Sequence, residues 1–600
     1  MQSKCNKCHT QELTLARAPL LSKGKKLFID VGCWGCHPIE GYNDLPKRGP
    51  TLTNIASKTT RGWLQTWIAY PKGWRPATRM PNFWPGAVDA NSVPHNGSEK
   101  PEEVMAQQQK LRGQEVSAIV AYLWSTSEKA PLLPLLKEGG DAEKGKSTFE
   151  SVGCRACHVT EKDSAARRSE GSDERDYAPN LWNIGDKASA EWIYSWIKNP
   201  KAMWPETKMP DLRLSDAEAM DITAYLVGLR SDQKYPEPKL SAGEQQKLAA
   251  QGKELIGKYG CFGCHNIKGF ENAQKIGTEL TEHGRKGVEL LDFGDVRYFT
   301  EDPKHRQTYA NWVWEKLHVP RIFAYERVET RMPQFDFTDD EALAVLTFLK
   351  GQTGETPPPE YRTGMNEVQA AVFKGERLVF WNGCRNCHVV EKRGGKIRDL
   401  YNDENLTFAP PVLTGEGAKV QPAWLFAFLK APSPLRPWLS VRMPTFHFSD
   451  ADATDVVHFF AAASNKSFPY LTAESQPLTG NRAKEADQLF KDLQCINCHV
   501  IGQLRAGQDP GSAAPNLLLA KERLRPDWIP PWLKNPQALL EGTRMPSFWD
   551  FSDEAHPTSP SKLFNGDAKE QIDALRDYLM HLELKTTQPT KTASATPSRG

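Results

Sequence analysis

No stretch of the 600-residue chain approaches the ~18 consecutive apolar residues of a membrane-spanning helix, and mean hydropathy is −0.58. Charge of one sign is missing too. With 76 basic and 74 acidic residues the formal charge is +2, which argues against nucleic-acid binding through a basic surface. The opening MQSKCNKCH has neither the charged n-region nor the apolar h-region of an export signal. Hydrophobic residues at 39% and charged residues at 25% are ordinary for a soluble globular chain. Six hundred residues exceed a single core and suggest about four domains at roughly 150 residues each. The most informative absence concerns cysteine: none of the 12 lies outside one pattern.

That pattern is Cys-x-x-Cys-His. It occurs at Cys5/Cys8/His9, Cys33/Cys36/His37, Cys154/Cys157/His158, Cys261/Cys264/His265, Cys384/Cys387/His388 and Cys495/Cys498/His499. A disulfide framework needs neither the spacing of two nor the histidine. A zinc ribbon brings paired Cys-x-x-Cys knuckles into one site, whereas here the pairs from the second onward stand about 107 to 123 residues apart. The remaining reading is covalent haem, with two thiols bonded to the porphyrin vinyls and the adjacent histidine on iron. Six motifs without a spare cysteine predict six haem c groups. Thioether attachment takes place outside the cytoplasm, so the periplasmic or extracellular side of a bacterial membrane is expected.

Five motifs head repeats of one order. A helix leads in, with a small residue four before a bulky one: Gly24/Phe28, Gly145/Phe149, Gly252/Ile256, Gly375/Val379 and Ala486/Phe490. That spacing places both on one helix face. A Pro-x-Leu turn follows at Pro50, Pro179, Pro411 and Pro515. Next comes a Trp-x-x-x-aromatic helix ending at proline (Trp63/Trp67, Trp192/Trp196, Trp424/Phe428, Trp528/Trp532; Trp312/Lys316 in the third repeat). A basic residue then precedes Met-Pro at Met80, Met209, Met332, Met443 and Met545, and an apolar helix carrying Tyr122, Tyr225, Phe348, Phe459 or Tyr578 closes the repeat. The expected organisation is all-α: an N-terminal haem-binding segment 1–20, then tandem domains 21–130, 141–230, 244–352, 366–466 and 480–585, and a disordered tail 586–600. Linkers at Thr126–Gly140, Ser231–Gly243, Gln352–Met365 and Asn465–Gly480 are rich in proline, glycine and charge, with TGETPPPEY (Thr353–Tyr361) a stiff spacer.

In this order of features each repeat resembles a class I cytochrome c domain. The resemblance implies that first and last helices cross at the glycine and that the proline carbonyl accepts a hydrogen bond from the proximal histidine. It further implies His37, His158, His265, His388 and His499 as proximal iron ligands, and Met80, Met209, Met332, Met443 and Met545 as distal ones. The third repeat departs, with Thr278 at the proline position and an insertion at Glu282–Gln307. The tryptophans read mainly as core. Arg79, Lys208, Arg331, Arg442 and Arg544 either bond haem propionates or face solvent.

The first motif lacks a Met-Pro loop. His9 is its expected proximal ligand; His95, a partner chain, upstream sequence or an open position are the alternatives opposite it. His/Met ligation fills both axial positions and describes an electron carrier rather than an enzyme. The leading expectation is therefore an electron-transfer relay between a quinol-oxidising complex and a terminal reductase or oxidase of a respiratory chain. A fixed subunit of a membrane respiratory complex, a cytochrome filament, or an enzyme with an open first haem are the other classes. With two ionised propionates per haem, the loaded chain would carry about −4 oxidised and about −10 reduced, by counting ionised groups, so a redox partner with a basic patch is expected.

Overall fold

The computed structural model describes residues 2–10, 12–90, 100–162, 178–294, 306–323, 331–355, 357–358, 366–436, 439–466, 475–509, 513–540 and 542–583. His95, His305, part of the Thr353–Tyr361 spacer and the expected disordered tail lie outside them. The fold is all-α; the two-stranded hairpin of Val389–Val390 with Arg393–Gly394 is the one sheet among the described residues.

Each repeat supplies three principal helices. The first contributes α1 (Pro19–Val31), α2 (Arg61–Ala69) and α3 (Pro101–Ser125). The second contributes α4 (Ala142–Val152), α5 (Ala190–Lys198) and α6 (Asp216–Gly228), and the third α7 (Ala242–Tyr259), α8 (Tyr309–His318) and α9 (Asp339–Lys350). The fourth and fifth give α10 (Glu367–Trp381), α11 (Pro422–Lys430) and α12 (Asp450–Ala463), then α13 (Gly480–Asp492), α14 (Ile529–Lys534) and α15 (Ala568–Met580). The closing helices α6, α9 and α12 begin in capping boxes, Ser215 with Glu218, Thr338 with Glu341 and Ser449 with Asp452. These satisfy N–H groups that the first turn leaves unpaired. The leading helices α1 and α7 stop at Gly32 (φ 83°) and Gly260 (φ 65°) in the left-handed region, which turns the chain directly into the cysteine motif.

The chain forms two compact units, Met1–Gly383 and Cys384–Gly600. In the first, α4 crosses α6 so closely that a Cβ on Gly145 would stand 1.9 Å from the Asp221 carbonyl oxygen, and Phe149 meets Tyr225 at 5.8 Å. The expected crossing of first and last helices is thus present in the second repeat. In the second unit α13 crosses α15, with Phe490 and Tyr578 ring centroids 5.2 Å apart.

The first and third repeats differ from the expectation that each closes on its own helices. Helix α1 packs on α9, where Gly24 faces the Ala344 carbonyl and Phe28 meets Phe348 at 4.9 Å. Helix α7 packs on α3, where Gly252 faces the Ala118 carbonyl and the Tyr122 Cβ. One apolar cluster consequently joins Phe28 and Val31 to Leu317, Val345 and Phe348, and another joins Trp63, Ile119 and Tyr122 to Ile256 and Tyr259. The physical reason is that every leading helix carries the same small-residue notch and every closing helix the same aromatic, so either partner satisfies the crossing. The fourth domain, expected at 366–466, is also divided. Helix α10 belongs to the first unit, where Arg48 and Lys208 lie over the Trp381 ring at 4.7 and 4.2 Å.

Segments expected as linkers are docked. In the first, Glu128 N–H donates to the Thr53 carbonyl, Ala130 N–H to Ser57 Oγ and Leu133 N–H to Ser195 Oγ, so the strand of chain bridges two repeats. In the second, the Tyr235 hydroxyl accepts from Trp74 Nε1 and Glu237 pairs with Arg61 at 3.1 Å.

Two outcomes are expected. Gly145→Val should lower stability by at least about 1–3 kcal/mol, because the added methyls meet backbone at the crossing; denaturant titration checks it, and an unchanged midpoint would contradict the contact. A Ser57→Ala/Ser195→Ala double variant leaves two linker N–H groups without partners, at about 1 kcal/mol or more each. Trypsin should then cut at Lys129 or Lys137 faster than in the unaltered chain.

Candidate haem sites

All six cysteine motifs make the same turn. The histidine N–H returns to the carbonyl of the first cysteine at 2.8–3.0 Å: His9 to Cys5, His37 to Cys33, His158 to Cys154, His265 to Cys261, His388 to Cys384 and His499 to Cys495. The second cysteine lies inside that turn. The backbone N–H groups of Cys8, Cys36, Cys157, Cys264 and Cys498 donate to the same first-cysteine carbonyls at 3.2–3.3 Å. Cys387 instead ends a one-turn helix, Cys384–Cys387, so the fifth motif, that of the fourth repeat, is wound as α-helix where the others are tighter. One tight turn thus places two thiols and an imidazole together.

All 12 cysteines are free thiols, which removes the disulfide framework as an account of their spacing. Cys8 and Cys498 are exposed, whereas the other ten, Cys157 and Cys387 among them, are half-buried. Burial pushes Cys33, Cys36, Cys154 and Cys261 up to about 12, so they sit as neutral thiols.

The five repeat histidines share a second contact. Nδ1 lies 2.8 Å from the carbonyl oxygens of Pro179 (His158) and Pro411 (His388), and 2.9 Å from that of Pro515 (His499). His37 takes the Thr278 carbonyl and His265 the Pro50 carbonyl, both at 2.8 Å. A carbonyl oxygen only accepts, so Nδ1 carries the proton and Nε2 keeps its lone pair for a metal. Burial lowers the basicity of all five, favouring the neutral imidazole. Thr278 thus does the work expected of proline, since only its carbonyl is used, but it does so for His37 rather than His265.

Two of the methionines are positioned by a residue that the sequence pattern assigns to the core. Trp67 Nε1 donates to Met80 Sδ at 2.9 Å, and Trp196 Nε1 to Met209 Sδ at 2.8 Å. In both cases the tryptophan precedes the methionine by 13 residues, and Trp532 stands in the same relation to Met545. Those intervals were a legible signal. Met332 packs in the cluster of Phe28 and Phe348, and Met545 in that of Phe490 and Trp549.

A second missed signal is a basic residue five before the leading tryptophan in four of the five repeats: Lys58, Lys187, Lys419 and Arg523. They work reciprocally. Lys58 lies over Trp192 at 4.2 Å, while Lys187 lies over Trp63 at 4.9 Å. In the second unit Lys419 lies over Trp528 at 5.7 Å and Arg523 over Trp424 at 5.2 Å. Burial pushes Lys58 down to about 8 and Lys187 well below its usual range, and neither has a carboxylate partner among the described residues. Beside them, Trp63 Nε1 and Thr59 Oγ1 are buried without a hydrogen-bond partner. Half-buried lysines without carboxylate partners, and orphaned donors beside them, would fit an anionic, propionate-bearing group. By contrast Arg79 pairs with Asp30 at 3.1 Å and Glu341 at 3.3 Å, Lys208 covers Trp381, and Arg331 meets the Tyr259 hydroxyl at 3.1 Å. These three basic residues serve contacts between elements.

The N-terminal motif is held against α1 and α9 rather than standing apart. Asn6 Nδ2 donates to the Gly351 carbonyl at 3.2 Å, and Gln2 Oε1 accepts from Leu20 N–H at 2.8 Å. Its histidine departs from the others, with His9 Nδ1 on the Glu12 carboxylate at 2.7 Å. The fully buried Lys25 ammonium caps the turn through the carbonyls of His9, Thr10 and Glu12. Of the remaining histidines, His283 Nδ1 meets the Tyr309 hydroxyl at 2.9 Å and exposed His556 pairs with Asp553 at 3.1 Å.

Comparison with known proteins agrees with this chemistry. Cytochrome c oxidase subunit 2 of Bacillus subtilis (strain 168) is 30% identical over 103 residues, which is 16% of this chain and 28% of that relative's length. No solved structure matches the chain. No helix among the described residues is long and apolar enough to cross a membrane. The cytochrome c family matches residues 21–127 and 142–230, which supports a c-type cytochrome, with covalent haem c and electron transfer as its chemistry.

Proposed function

We propose that the chain is a hexahaem c-type cytochrome that relays single electrons between a respiratory donor, a quinol-oxidising complex, and a terminal acceptor on the periplasmic or extracellular side of a bacterial membrane. The observation that carries this reading is one donor set repeated along the chain: paired thiols, an imidazole with Nδ1 engaged and Nε2 available, and a Met-Pro loop. Covalently held haem supplies one reversible electron per iron. The chain's residues do the rest. The twelve cysteines tether, and His9, His37, His158, His265, His388 and His499 hold the proximal face. Met80, Met209, Met332, Met443 and Met545 hold the distal face, which leaves no position for a substrate at five sites. Trp67 and Trp196 orient the thioether and draw electron density from its sulfur.

Docked linkers and the reciprocal lysine–tryptophan contacts favour a relay, because they fix neighbouring sites in place instead of leaving them on free tethers. A fixed subunit of a respiratory complex is the second reading, favoured by the likeness to an oxidase subunit. Co-purification with a membrane complex in stoichiometric amount would select it over a freely diffusing carrier.

A spectroscopic potentiometric titration should resolve five components with a methionine-to-ferric-iron band and one without it. Met443→Ala or Met545→Ala should each delete one such component while covalent haem is retained; an unchanged spectrum would remove that ligand from the set. In Trp196→Phe the band should persist while one component moves to lower potential. The lost hydrogen bond, about 1 kcal/mol, corresponds to about 40 mV for one electron. The sign follows because a sulfur freed from its donor favours ferric iron more strongly.

A further inference from the structure

The first and third repeats show more than close packing. We infer that two of the haem sites are composite: the Cys33/Cys36/His37 site is completed by Met332, and the Cys261/Cys264/His265 site by Met80. This rests on the His/Met reading above and specifies which residues share an iron.

Four independent sets of contacts point to the same pairing. The first is the histidine bond itself, from His37 to Thr278 and from His265 to Pro50. The second is the backbone frame around it. In the fifth repeat, Ala514 N–H donates to the Cys498 carbonyl and Leu517 N–H to the Val500 carbonyl. The same two bonds occur with partners exchanged: Gly277 to Cys36 and Leu280 to Pro38, then Gly49 to Cys264 and Leu52 to Asn266, all at 2.8–2.9 Å. The third is helix packing, α1 on α9 and α7 on α3. The fourth is the position of the thioethers. Met332 packs in the cluster that contains Cys33, and Met80, held by Trp67, in the cluster that contains Cys261.

A local sequence feature makes the exchange possible. The two motifs touch at Gly35 and Gly263, where a Cβ on Gly35 would stand 2.2 Å from the Gly263 carbonyl oxygen. These are the two motifs with glycine before the second cysteine; the others have Lys7, Ala156, Asn386 and Asn497 there. Any larger residue would push the turns apart. On the distal side the Met-Pro loops also meet, with Asn82 and Gln334 exchanging backbone hydrogen bonds at 2.8 and 3.0 Å. The crossing brings the two sites together on both proximal and distal sides. Neither site is complete without the other repeat, so separate expression of 21–130 or 244–352 would yield half-sites.

The pairing is tested by removing one haem attachment and asking which methionine becomes silent. In a Cys261→Ala/Cys264→Ala chain, Met332→Ala should delete one methionine-ligated component, whereas Met80→Ala should delete none. The reverse pattern overturns the exchange and leaves His/Met ligation standing. If neither substitution deletes a component even in the unaltered chain, methionine ligation at these sites falls, and the pairing with it. A measurement on the unaltered chain guards against misfolded variants. Lys268, three residues past His265, lies 2.6 Å from Glu128 beyond the end of α3. Carbodiimide treatment should therefore yield a Lys268–Glu128 isopeptide in the peptide map. Its absence, or a Lys268 link to the chain beyond α9 instead, overturns the proposal.

Discussion

A histidine Nδ1–H bonded to a backbone carbonyl 16 or more residues away is the contact on which the rest of this molecule depends. The bond fixes the tautomer, so Nε2 is left as the nitrogen that can meet a metal. It also pins the cysteine turn to a second segment of chain. Which segment each cysteine turn is pinned to is therefore read from the carbonyl its histidine reaches, rather than from the residues that follow it in sequence. In the second and fifth repeats the carbonyl is local, at Pro179 and Pro515. In the first and third it lies 241 and 215 residues away.

That dependence explains why the helices pair as they do. A notch of glycine or alanine on the leading helix and an aromatic on the closing helix make a crossing that any repeat's members satisfy. Because local and exchanged pairings bury similar side chains, the choice between them rests on smaller differences. Gly35 and Gly263 allow two motif turns into van der Waals contact, and the Arg79 guanidinium bridges Asp30 on α1 to Glu341 on α9. Repeats without glycine at the motif's third position do not make this contact.

Electrostatics then organises the faces between neighbours. Lys58 and Lys187 lie half-buried over each other's tryptophans, an arrangement echoed by Lys419 and Arg523 in the second unit. Ring faces offset part of the desolvation cost of a cation, and the orphaned Trp63 Nε1 beside them marks where an anionic group would complete the account. These contacts dock one repeat on its neighbour, and in each the basic residue stands five before its own repeat's leading tryptophan.

The sequence by itself determined the helical class, the thiol–imidazole chemistry of all six motifs, and the existence of a methionine and an aromatic helix in each repeat. Those features are local: a spacing of two between cysteines or of four on a helix face is expressed within one or two turns of chain. It also held two further signals, the 13-residue interval from Trp67 to Met80 and the basic residue before the leading tryptophan of four repeats. Only the tertiary structure decided partnership. It joined α1 to α9, moved α10 into the first unit, gave the Thr278 carbonyl to His37, and docked the linkers. Repeated sequences carry interchangeable interfaces, and a local pattern cannot say which of several equivalent partners a surface will meet. That choice is made by the few non-equivalent contacts, a glycine here and an ion pair there, which act only once the segments have been brought together.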